Sequence, residues 1–86
     1  MVRAIDSSIS RIQEVIDKLN RLDVPDNYKQ ATAAFRKSLE HELKGYEHFK
    51  RFVVSKDTNE LDYFKIEFQL TLDYDKKFLN LLPKNP

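Results

Sequence analysis

The chain has 86 residues, of which 41% are hydrophobic and 34% charged, and its 15 basic and 14 acidic residues leave a net charge of +1. That describes one compact domain with no room for a second core. It is too apolar for a disordered tail and too evenly charged for bulk attraction to nucleic acid or an anionic membrane. The absence of cysteine excludes disulfides, thiol catalysis and Cys-based zinc sites, and no apolar run approaches the roughly 20 residues of a membrane span.

Met1-Val2-Arg3-Ala4-Ile5-Asp6 contains no hydrophobic signal core, so a soluble single domain is expected, compatible with excision from a longer protein. The prolines stand at 25, 83 and 86, leaving two long stretches without one, and this distribution predicts long helices with short connections.

The first helix is expected at about residues 3–22. Ile5, Ile9, Ile12, Ile16 and Leu19 follow steps of four and three, a heptad seam widened by Val2, Val15 and Leu22. Ser7, Arg11, Glu14, Lys18 and Arg21 occupy the other side. Isoleucine is a mediocre helix former, so packing must supply most of this helix's stability.

Asp23-Val24-Pro25-Asp26 is a helix-start signal: proline suits a first turn, Asp26 suits the positive end of the helix dipole, and Val24 can staple onto Tyr28. The second helix, at about 25–54, is expected to bury Tyr28, Ala31, Phe35, Leu39, Leu43, Tyr46, Phe49 and Val53. Asp57-Thr58-Asn59-Glu60 then reads as a capping box. The third helix, at about 58–82, points Leu61, Phe64, Phe68, Leu72, Leu79 and Leu82 to one side and stops at Pro83. Three amphipathic helices with short connections fold back on one another, so the expected fold is all-α, an antiparallel up-down-up three-helix bundle spanning residues 1–86.

Candidate chemistry is sparse. His41 and His48, seven residues apart on one helix, lie about 10 Å apart along its axis, too far to share a metal ion, and are expected to face solvent. Glu42 and Glu47 are off their line. Asp75 falls inside the apolar stripe of the third helix and needs a partner, with Arg3 or Lys18 of the first helix as candidates, or else access to water. Lys37, Lys44 and Arg51 repeat at seven-residue spacing, with Lys29 and Arg36 beside them, as a phosphate-tracking stripe would. Glu40 and Glu47 interrupt that stripe, and Arg36-Glu40-Lys44 reads instead as a salt-bridged exposed face, so no nucleic acid is expected. The single glycine, Gly45, is mid-helix, where it costs about 1 kcal/mol relative to alanine; close approach of a neighbouring helix would explain it, as would a local kink.

The inward Glu-x-x-His motifs of a catalytic helical bundle are missing, and no cofactor, metal or catalytic residues are expected. A different feature stands out. Tyr63, Ile66, Leu70, Tyr74 and Leu81 form a second apolar line on the third helix, nearly opposite its expected core stripe, where a bundle helix should be polar. Either Tyr63 and Tyr74 are boundary residues, leaving only Ile66 and Leu70 exposed, or the line is a face for a protein partner, a second copy or another domain. The function expected is a non-enzymatic interaction or scaffold module, self-associating through this outer face. The alternative is a small regulator binding a ligand or nucleic acid through the second helix.

Val24-Pro25-Asp26, the run Ser38-Leu39-Glu40-His41-Glu42-Leu43-Lys44-Gly45-Tyr46-Glu47, the Lys56-Asp57 turn and Leu61-Asp62-Tyr63-Phe64 together resemble the helical segments of small bacterial lipoproteins and surface-anchored proteins of uncharacterised function. The likeness covers roughly residues 24–70. It implies an extracytoplasmic bacterial setting, with anchorage supplied by an N-terminal part outside this chain, and no catalytic residues.

Overall fold

The computed structural model describes residues 1–84. It is an all-α, antiparallel three-helix bundle: α1 is Val2–Arg21, α2 is Lys29–Ser55 and α3 is Thr58–Leu81. The segment expected to open the second helix, Asp26–Tyr28, is instead a 3₁₀ turn closed by Tyr28 N–H donating to the Pro25 carbonyl at 2.9 Å. Tyr28 is exposed at 41%, so it is not part of the core of α2.

Both tight ends of the α2–α3 connection are made by backbone geometry and one side chain. Lys56 takes the left-handed conformation, φ 63°, that closes the helix by letting its N–H reach the Phe52 carbonyl at 2.7 Å. Asp57 then caps α3, its Oδ1 accepting from Asn59 N–H at 2.9 Å. The other half of the expected capping box does not form. Glu60 turns away from the cap to pair with His48, a partner that only the folded hairpin supplies.

The first helix behaves as its seam demands. Ile5, Ile12 and Ile16 are buried, and Ile12 and Ile16 cluster with Leu39 of α2, with Leu19, Phe35, Leu43 and Tyr46 packed around them. Lys50 of α2 anchors the outer edge of this contact through Asp6 at 2.7 Å.

Packing between α2 and α3 is built differently. Ala31, Ala34, Ser38 and Gly45 are the buried positions on α2, besides Leu39, and Thr71 is the buried position on α3. Small residues at the line of contact bring the two backbones close, and the larger side chains are displaced to either flank. A methyl placed on Gly45 would sit 2.9 Å from Cδ2 of Phe68 and 3.6 Å from Cβ of Glu67. Close approach of α3, rather than a kink, therefore explains this glycine.

One flank of the α2–α3 contact is aromatic. Phe35 meets Phe78 with ring centroids 5.2 Å apart, Tyr46 meets Phe68 edge-on at 5.4 Å, and Phe49 meets Phe64 at 4.9 Å. The other flank is polar, with histidines on α2 facing glutamates and tyrosines on α3.

This arrangement rotates α3 relative to the stripe expected from its leucines. At 100° per residue, the face turned to α2 is centred near Thr71, roughly 60° from the centre of the Leu61–Leu82 stripe. Leu72 and Leu79 are consequently not core: they are 53% and 64% exposed. Phe64, Phe68, Leu61 and Leu82 are half-buried.

The α1 and α3 helices pack on different flanks of α2, which carries nearly all the interhelical contact. The molecule measures 50 × 22 × 15 Å, flattened in section and longer than any one helix, since α2 with 27 residues spans about 40 Å. Among the described residues six apolar ones are buried, none larger than leucine or isoleucine, and all six phenylalanines and four tyrosines keep some exposure.

Candidate functional site

The outer line of α3 is divided by the fold. Tyr63 and Ile66 are more than half exposed, at 52% and 55%. Leu70, Tyr74 and Leu81 are half-buried, because the rotation of α3 brings this side toward the polar flank of α2. Both tyrosines have ring partners: Tyr74 stacks on His41 with centroids 5.5 Å apart and 15° between planes, and Tyr63 lies on His48 at 5.2 Å. Lys77 sits over the outer face of Tyr74, its Nζ 5.4 Å from the ring centroid. Leu70 and Tyr74 also border a shallow depression with Asp73, Lys76, Lys77 and Asn80.

The histidines do not face solvent as the spacing suggested. Each lies in the α2–α3 seam and donates through Nδ1 to a carboxylate: His41 to Glu67 Oε2 at 2.6 Å and His48 to Glu60 Oε2 at 2.5 Å. Their side chains retain about a fifth of their exposure, at 19% and 21%. The result is a histidine–glutamate pair repeated seven residues apart along both helices, each histidine also meeting a tyrosine of α3. Arg51 adds a second contact to Glu60, Nε to Oε1 at 3.3 Å. The hydrogen bond from His48 holds the Glu60 carboxyl below the usual carboxylate range, with Arg51 adding to that effect. This spacing was legible, since His41/His48 and Glu60/Glu67 share the same interval of seven, but pairing them requires the register of the hairpin.

Asp75 finds neither Arg3 nor Lys18. Its Oδ1 accepts from Ser38 Oγ of α2 at 2.5 Å, in the same contact where Thr71 Oγ1 donates to the Ser38 carbonyl at 3.3 Å and to the Glu67 carbonyl at 3.1 Å. Burial, reinforced by the neighbouring Asp75 charge, raises the Glu42 carboxyl above its ordinary range. Neither Glu42 nor Asp75 has a cationic partner among the described residues.

Lys37, Lys44 and Arg51 are exposed on α2. The Arg36-Glu40-Lys44 ladder expected beside them does not form among the described residues, and Arg36 instead buries its Nε without a hydrogen-bond partner. No group of three potential metal ligands comes together among the described residues. Among the described residues no helix is long and apolar enough to cross a membrane.

No family model matches the chain, and neither a curated protein nor a solved structure is significantly similar to it.

Proposed function

We propose that this chain is a non-enzymatic protein-interaction module that self-associates through the outer face of α3. The observation that carries this reading is the pair Tyr63 and Ile66, large apolar side chains held more than half exposed on a helix whose other flank already packs on α2. Half-buried Leu70, Tyr74 and Leu81 continue the line, so an approaching helix would meet a continuous apolar strip.

A second copy of α3 suits this strip. Two-fold pairing brings a patch against itself, and an antiparallel α3 pair centred between Gln69 and Leu70 sets Asp62 of each copy opposite Lys77 of the other. The aromatic anchors are pre-positioned by their histidine partners, which lowers the entropy lost on association.

Light scattering over a concentration series tests the reading. The expected result is a mass that rises toward twice the monomer's 10.2 kDa and returns to monomer in Ile66→Lys/Leu70→Lys. A wild-type mass that stays monomeric into the millimolar range, or a dimer unaffected by the double substitution, would refute it.

A further inference from the structure

The opposite flank of α3 borders a second open surface, independent of the self-association face. Phe35 and Tyr46 pack against the Ile12–Ile16–Leu39 cluster on one side and against Phe78 and Phe68 of α3 on the other, yet both remain part-exposed. They are therefore the floor of a groove between α1 and α3, two helices that scarcely touch one another. Leu72 and Leu79 stand on its α3 wall at 53% and 64% exposure. Asp6, Ile9, Glu47 and Lys50 come together on the outer flank of the α1–α2 contact. By helical periodicity, Val15 and Leu22 fall on the opposite flank, along the α1 wall of the groove, and are 38% and 61% exposed.

Three helices placed this way occupy three corners of a four-helix bundle, in which each helix has two neighbours and the core lies between all four. The open fourth position explains why Phe35, Tyr46 and Phe68, packed at its floor and edge, stay part-exposed. The groove is not purely apolar. Glu42 lies on the α2 floor one helical turn from Tyr46 and two from Phe35, and Asp75 lies on α3 between Leu72 and Leu79. Their charges act on one another without a cationic partner among the described residues. The next positions outward on both walls reverse the sign: Arg11 and Lys18 on α1, Lys65 and Lys76 on α3, all exposed.

The geometry points to an occupant of matching pattern: an amphipathic helix of a partner protein, apolar toward the groove, with one lysine or arginine inside its apolar face to meet Glu42 and Asp75, and acidic residues on its shoulders. The apolar walls supply affinity, and the half-buried acidic pair sets register and specificity, because a partner lacking the base covers two carboxylates without giving them a counter-charge.

The test uses three fluorescent synthetic helices of about five turns, identical in their leucine face and glutamate shoulders, with lysine, norleucine or glutamate at the central apolar position. Anisotropy titration against the full chain is expected to rank them lysine, norleucine, glutamate, with about tenfold between the first and last. Leu72→Lys/Leu79→Lys should abolish binding of all three. Glu42→Gln/Asp75→Asn should keep binding but erase the preference for lysine, with circular dichroism showing that both double variants retain the parent helicity. Ile66→Lys/Leu70→Lys should bind the lysine peptide as the parent does, which separates this groove from the self-association face. Absence of binding, equal affinity for the three peptides, or binding that survives Leu72→Lys/Leu79→Lys would overturn the inference. So would a dimer lost on Leu72→Lys/Leu79→Lys and not on Ile66→Lys/Leu70→Lys, since a second copy would then fill the groove.

Discussion

Replacing Gly45 with alanine sets two effects of similar size against each other. Alanine in mid-helix is favoured over glycine by about 1 kcal/mol, from backbone entropy alone. Against this, the added methyl would meet Phe68 at 2.9 Å and 3.0 Å, well inside ordinary contact distance. The ring cannot simply swing away, because Tyr46 packs on it at 5.4 Å and Phe64 at 4.6 Å between centroids. Overpacking of this kind costs about 1–3 kcal/mol, so Gly45→Ala should destabilise the domain by about 1 kcal/mol net. Phe68→Val removes the ring atoms that clash. In that background the same change should become stabilising by about 1 kcal/mol, the propensity gain standing alone. Urea unfolding followed by circular dichroism on the four proteins of the cycle gives the coupling directly. A Gly45→Ala protein more stable than its parent, or one equally perturbed in both backgrounds, would show that α3 does not constrain this position.

Other substitutions address the remaining contacts. Ser38→Ala removes the hydroxyl that donates to half-buried Asp75; a loss of about 1–2 kcal/mol is expected, read as a lowered Tm, and an unchanged Tm would mean that water replaces the hydroxyl. The Glu60 carboxyl is held below its unfolded value in the folded chain, so the stability it contributes is complete above the ordinary carboxylate range and lost as pH falls through the lowered pKa. The stability difference between the parent and Glu60→Gln should thus shrink in acid, and a difference constant with pH would count against the His48 pairing. Lys56 holds a left-handed conformation that costs a non-glycine residue about 1–2 kcal/mol, part of which glycine returns as unfolded-state entropy. Lys56→Gly should accordingly raise the urea midpoint with an unchanged slope; a lowered midpoint would refute the assignment of strain to that residue.

Much of the fold was legible in local pattern. The Ile5-to-Leu19 seam places α1, Asp57 marks the start of α3, and the scarcity of glycine and proline sets the number of helices. These follow from interactions within a few residues, where helical periodicity and capping act. The rotation of α3 was another matter. Its leucines suggested a core stripe through Leu72 and Leu79, yet the small residues Ala31, Ser38 and Gly45, spaced by seven on α2, admit α3 most closely along Thr71 and turn those leucines outward. That spacing was visible, but small and hydroxylated residues read as surface until a partner helix is known to press on them. The same holds for His41 and His48, whose carboxylates come from 26 and 12 residues away, and for Asp75, whose hydroxyl partner is 37 residues distant. A helix forms from its own backbone hydrogen bonds, but the face it buries is chosen by the fit between two surfaces, and that fit exists only once both helices are in place.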